Sequence, residues 1–210
     1  MLISFDEINE WLRRQSITVT GALHLGAHEC EELSFYHALG LKREQVVWVD
    51  AIPVNVTKAR ERGIPNVYQA VITDKDDEEV VFHISNNVQS SSVLDLHTHA
   101  YEHPQVVYVD ELRTQSVTLD TFLERNHLDA SRYTFWNMDI QGAELMALKG
   151  APKAIQHAKA LYLEVNEREL YKGCGQLPEL DAFLASLGFR RVLTRMTSHG
   201  WGDALYLRDA

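Results

Sequence analysis

Residues 23–30 read LHLGAHEC, a short apolar run that ends on one glycine and turns acidic at Glu29, Glu31 and Glu32. A run of this kind, closed by a small-residue turn and followed by a helical pattern, is the first strand and turn of an open α/β sheet. The chain on its C-terminal side repeats the rhythm. ALHLGA reads as a strand, ECEELSFYHAL as a helix, VVWVDA as a strand, PVNVTKARERG as a helix and NVYQAV as a strand. This βαβαβ opening implies a parallel sheet. Pro53 suits a first helical turn, while Gly40 and Gly63 suit helix ends.

Between Thr73 and Val109 the rhythm breaks into DKDDEE, VVFHIS, NNVQSSS, HTHAYEHP and QVVYVD, which we read as a β-rich and loop excursion near residues 73–112. It resumes with SVTLDTFLERNHL, where Thr118 or Asp120 caps a short helix, then the strand YTFWNMDI and a helix from Gly142 through Leu148. AKALYLEVN is a further buried strand. A helix over Pro178–Leu187, stopped by Gly188, leads to FRRVLTRM and ALYLRD, close enough to pair antiparallel. The pattern predicts seven principal strands, five parallel and two closing the edge as a hairpin. Residues 1–20 hold an amphipathic helix, with Phe5, Ile8, Trp11 and Leu12 on one face, which packs on a single domain over 21–210 or against a second copy in a homodimer.

Lys and Arg total 20 against 30 Asp and Glu, a formal charge of −10, and no basic run tracks a phosphate backbone, so nucleic acid is not an expected partner. No apolar run approaches the roughly 20 residues of a membrane span. The opening MLISFDEINEWLRRQ lacks the basic and apolar regions of a signal peptide, which predicts a cytoplasmic protein. Cys30 and Cys174 have no metal-type spacing and fit a reducing compartment.

Ligands of open α/β sheets lie beyond the carboxyl ends of the strands. Those ends carry Gly26, Ala27 and His28, then Asp50, Ala70 and Val71, Asp139, and Glu164 to Asn166. Asp50 follows Gly26 by 50 − 26 = 24 positions, near the spacing of about 20 expected for a carboxylate on ribose hydroxyls. A pyrophosphate needs a glycine-rich turn and a helix start free of opposing charge. Here one glycine is followed by Glu29, Glu31 and Glu32, placed by the pattern in the first helical turn. That favours a ligand carrying an ammonium and a sulfonium, as S-adenosylmethionine does, over a dinucleotide.

The ordered set LHLGAHECEE, VVWVDAIPVN, QSSSVLDL, SVTLDTFL, NMDIQGAELMALKGA and LYLEVNERELYKG resembles the FkbM-type S-adenosylmethionine-dependent methyltransferases over about Gly21 to Gly188. The most specific element is MDIQGAELMALKGA. The resemblance implies a Class I, Rossmann-like fold: a mostly parallel seven-stranded sheet of order 3-2-1-4-5-7-6 with helices on both faces. It also implies hydroxyl acceptors, on small molecules or glycans. The family often has Asp at His24, Asn at His28, Gly at Cys30, Glu at Asp50 and Glu at Gln141.

On this basis Gly26, Ala27, His28, Asp50, Ala51, Ala70, Val71 and Asp139 are expected to hold the cofactor. Asp139 and Glu164 are the catalytic candidates, since a hydroxyl becomes a nucleophile only when a base takes its proton. Ser91, Ser92, Glu144 and Asn166 are the acceptor candidates, with Tyr171-Lys172-Gly173 as a mobile loop over that pocket. Bland roles compete for each: Asp50 or Asp139 as a helix cap, Glu144 complementing a helix dipole, the serines as a solvated loop. His97, His99 and His103 have a spacing compatible with zinc, yet no Cys or carboxylate completes a set, so no metal is expected. Two further readings are a non-catalytic cofactor-binding module, motivated by His24 and Cys30, and an NAD-dependent oxidoreductase, which the missing G-x-G-x-x-G disfavours.

Overall fold

A computed structural model describes residues 2–209. The chain opens with α1 (Phe5–Arg14), whose start is a capping box: Ser4 Oγ accepts from the Glu7 amide at 3.3 Å, and Glu7 Oε2 accepts from the Ser4 amide at 3.2 Å. Its buried residues Ile8 and Leu12, with Phe5 and Trp11 partly covered, pack onto the domain itself.

The main sheet is built from β1 (Ala22–Leu25), β2 (Val46–Asp50), β3 (Val67–Gln69), β7 (Phe135–Met138), β8 (Ala160–Asn166), β9 (Phe189–Met196) and β10 (Trp201–Arg208). A second sheet holds β4 (Val71–Thr73), β5 (Glu79–Ser85) and β6 (Tyr108–Thr118). The main order is β3-β2-β1-β7-β8-β10-β9. These numbers differ from the expected 3-2-1-4-5-7-6 because three strands are diverted into the second sheet. Among the described residues the main sheet has the seven strands expected, and three further strands form the second sheet. β3, β2, β1, β7 and β8 run parallel, while β10 is antiparallel to both β8 and β9.

β1, β2, β7 and β8 are buried along their whole length, as parallel strands covered on both faces must be. Two apolar clusters result. One face packs Trp136, Met138, Leu161 and Leu163 against α5 (Leu119–Arg125), α6 (Glu144–Lys149) and α7 (Leu177–Ser186). The other packs Trp48, Phe135, Tyr162 and Leu205 against α1, α2 (Leu33–Ala38) and α3 (Pro53–Glu61). Each fully buried Leu or Phe contributes about 1.5–3 kcal/mol of transfer free energy.

Two elements differ from the sequence expectation. NVYQAV is two strands, β3 and β4, which belong to different sheets and separate at Ala70. The helix expected from Glu29 begins only at Leu33, because His28 and Cys30 take left-handed φ of 41° and 58°, where a right-handed helix cannot continue. Glu29, Glu31 and Glu32 therefore lie in the preceding loop. Thr118 does cap α5, its Oγ1 accepting from the Thr121 amide at 3.2 Å, while Asp120 instead receives the Lys153 and Ala154 amides at 2.9 and 2.8 Å. The excursion, with α4 (His99–Glu102), closes over the carboxyl ends of the main-sheet strands.

Candidate active site

The site grows from the turn after β1. Gly26 has φ +84°, and a Cβ there would lie 1.8 Å from the carbonyl oxygen of Asp139. No other residue fits this crossing of two strand ends. The amides of Gly26 and Ala27 donate to the carbonyl of Val49 at 2.9 and 3.0 Å, which ties the turn to β2.

Asp50 at the end of β2 completes the tie. Its carboxylate accepts from the His28 amide at 2.7 Å, the Ile52 amide at 2.8 Å and Asn55 Nδ2 at 3.3 Å. Burial pushes its pKa above the ordinary value in spite of those donors. Asp50 borders a cleft at the carboxyl ends of the strands. One wall is apolar, with Ile52, Ala70, Val71 and Ile72 below and Val88 and Val93 from the excursion above.

A second chamber opens beside the first. Gly26, His28, Gln89, Asp139 and Gln141 border both, so the junction lies at Asp139. Gln141, held at φ 55°, spans the carboxylates there. Its Nε2 donates to Asp139 Oδ1 at 2.7 Å and also to Glu164 Oε2, and its Oε1 accepts from Tyr171 Oη at 2.5 Å. Glu164 is buried, and that burial, reinforced by the charge of Asp139, raises its pKa well above the carboxylate range. Below it, Tyr162 Oη and the Leu2 amide donate to Asp203. His24 is fully enclosed, stacked on Trp48 at 5.0 Å, with Nδ1 3.0 Å from Tyr36 Oη; burial lowers its pKa and keeps it neutral.

Of the expected site residues, Gly26, His28, Asp50, Ala51, Ala70, Val71, Ser91 and Asp139 meet around the first chamber, and Glu164 borders the second. Ala27, Ser92, Glu144 and Asn166 border neither. Ala27 faces the apolar core. Ser92 Oγ donates to the Gln141 carbonyl at 2.8 Å, holding that residue's unusual backbone. Glu144 accepts from the Ile140 amide at 2.8 Å, the dipole-and-cap role, with its pKa pushed up to about 8 by burial. Asn166, two residues beyond Glu164 on the same strand face, is wholly enclosed beside β10.

Tyr171 is buried and pinned to Gln141, so the expected mobile loop is in fact anchored there. His97 bonds to the Glu169 carbonyl and stays at the surface, whereas His99 and His103 border the second chamber. No group of three or more His, Cys, Asp or Glu among the described residues is arranged to hold a metal ion. Sequence reasoning missed Asn137, Gln141 and Asp203 as site residues, while Gln89 lies in the polar loop NNVQSSS that it offered for ligand binding. A lone acid inside the apolar run WGDALYLR was the one available signal for Asp203.

An open α/β sheet with its cleft at the strand ends, an acid closing β2 and a carboxylate pair beyond β7 and β8 defines a nucleoside-cofactor enzyme of the doubly wound class. The chain belongs to the FkbM methyltransferase domain family, whose pattern matches residues 24–191. Members of this family use S-adenosylmethionine as methyl donor.

No curated protein matches the sequence significantly. Among solved structures, the chain is similar to magnesium protoporphyrin IX methyltransferase from Synechocystis PCC 6803 with bound S-adenosylmethionine (14% identity, 98% of this chain and 78% of that one, TM-score 0.48). It is also similar to a methyltransferase from Aquifex aeolicus (13%, 95% and 88%, TM-score 0.44) and to one from Bacteroides fragilis with S-adenosylhomocysteine (10%, 99% and 78%, TM-score 0.46). Likenesses this distant say nothing about the acceptor.

The residues present fit the cofactor. The apolar wall suits an adenine, Asp50 suits ribose hydroxyls, and no Lys or Arg among the described residues borders either chamber. The last point matches a ligand of net positive charge and opposes a pyrophosphate. No helix in the described residues is long and apolar enough to cross a membrane.

Proposed function

We propose that this methyltransferase transfers its methyl group to a hydroxyl oxygen of a small molecule or glycan. The observation that carries the reading is the position of Asp139, which is accessible and borders both chambers. Gly26, His28, Asp50, Ala51, Ala70 and Val71 would hold the cofactor on one side. The acceptor would enter the other. When bound, the cofactor supplies an electrophilic methyl group.

Asp139 takes the proton of the acceptor hydroxyl as its oxygen bonds to carbon. Gln141 fixes the Asp139 carboxylate by donating to Oδ1. Glu164, bonded to the same amide, borders the second chamber beside the base. Ser92 and Glu144 hold the backbone around these groups, at the Gln141 carbonyl and the Ile140 amide.

The test is calorimetry with S-adenosylmethionine and S-adenosylhomocysteine, followed by turnover on a panel of hydroxylated acceptors read as a product heavier by one methyl group. Asp139→Asn should lower kcat by about 10²–10⁴-fold and leave S-adenosylhomocysteine affinity intact. No binding of either compound, or unchanged kcat in the variant, overturns the reading.

A further inference from the structure

Gln141 borders both chambers, and each polar atom of its side-chain amide has a partner. Nε2 donates to Asp139 Oδ1 at 2.7 Å and to Glu164, which uses both of its hydrogens. Oε1 accepts from Tyr171 Oη at 2.5 Å. The two ends of an amide have nearly the same shape and its last torsion is soft, so packing alone does not choose between them. Turned over, the amide would aim its oxygen at Asp139. The phenol opposes that turn: burial pushes the Tyr171 pKa well above its ordinary value, so Oη keeps a proton to donate.

Tyr171 is itself fixed by its ring and by its backbone. The ring lies against Gly142, the neighbour of Gln141, so closely that a Cβ there would come within 3.1 Å of Tyr171 Cδ2. The backbone pairs with Leu96 of the excursion, where the Lys172 amide donates to the Asp95 carbonyl and the His97 amide to the Leu170 carbonyl, both at 2.8 Å. Ser92, from the same excursion, donates to the Gln141 carbonyl at 2.8 Å and holds its left-handed backbone. The excursion thus grips Gln141 at both ends, the main chain through Ser92 and the amide through Tyr171.

We propose that Tyr171 is a positioning residue for methyl transfer, whose hydroxyl turns the Gln141 amide so that its amino end faces Asp139. This rests on the reading of Asp139 as the base. An amide free to turn would put its oxygen against the base for part of the time, and the base would lose the donor that fixes it.

Tyr171→Phe removes the hydroxyl and keeps the ring. Hydrogen exchange of the Gln141 side-chain amide, followed by NMR and assigned with Gln141→Ala, is compared with that of the exposed Gln115. In the unmodified protein Gln141 should exchange at least about tenfold more slowly than Gln115, and Tyr171→Phe should lose most of that protection. On any hydroxylated acceptor that turns over, Tyr171→Phe should lower kcat about tenfold and leave the acceptor KM and S-adenosylhomocysteine affinity unchanged. In a Gln141→Ala background the same substitution should change kcat by less than about twofold, whereas a tyrosine that merely fills space would act equally in both. Equal effects in the two backgrounds, or Gln141 exchange that matches Gln115 or is unchanged in the variant, overturn the proposal. The comparison with Gln115 in the unmodified protein decides even if the variant does not fold. Exchange protection lost in Tyr171→Phe, together with unchanged kcat in Asp139→Asn, counts against the base reading alone.

Discussion

The carboxylate of Asp50 accepts the backbone amide of His28 at 2.7 Å, so a side chain at the end of β2 reinforces the turn after β1 that the Gly26 and Ala27 amides already tie to Val49. Removing it loosens the turn as well as the proposed ribose contact. Asp50→Ala should weaken S-adenosylhomocysteine binding by about ten- to a hundredfold by calorimetry. Asp139→Ala should weaken it less, because that side chain is bonded to Gln141 rather than to the turn.

Gly26 gives a sharper outcome. Alanine there places a methyl 1.8 Å from the Asp139 carbonyl oxygen in a backbone region that L-residues avoid. Gly26→Ala should cost more than about 3 kcal/mol in urea denaturation, and it should abolish cofactor binding in any fraction that folds.

Glu144 predicts a pH dependence with a definite sign. Burial raises its pKa from 4.5 to about 8 in the folded chain. Below 4.5 it is neutral in both states; as pH rises toward 8 the unfolded chain ionises first, so the folded state loses stability across that window. Glu144→Gln keeps an oxygen to accept the Ile140 amide and removes the titration. The variant should gain stability over the unmodified protein as pH rises from about 4.5 to about 8, with the difference gone at lower pH. Thermal melts across that range would show it, and a difference independent of pH would refute it.

Gln141 donates to Asp139 and Glu164 at once. Gln141→Glu would replace two donated bonds with a third carboxylate. The variant should lose about 1–3 kcal/mol at pH 8 and much less near pH 5, where added protons relieve the repulsion. Denaturation at the two pH values separates this from a simple packing loss.

The βαβαβ opening, the cap at Thr118 and the terminal hairpin were legible because each has local chemistry: continuous apolar strands, a capping hydroxyl, glycine stops. The second sheet was legible only as a β-rich excursion, and its pairing was not. β6 alternates charged and polar residues along Tyr108–Thr118 because most of it pairs only with β5 in an exposed ribbon, and no apolar face marks it. The break at Ala70 was hidden because two strands separated by one residue read as one.

Within the site, acids at strand ends were readable. The role of Gln141 depends on which groups the fold brings within hydrogen-bond reach across distant segments. The departures His28 and Cys30 also gained a reason. Both positions need left-handed backbone, which explains an Asn and a Gly there in relatives, and the buried Cys30 thiol, pushed up to about 12, is chemically quiet.

The amide of Gln141 has an evolutionary corollary. Glutamine and glutamate codons differ only in their first base, so the charge at the meeting point of donor and acceptor is one nucleotide change from a different value. Such a change would alter the charge where the two chambers meet without moving a strand.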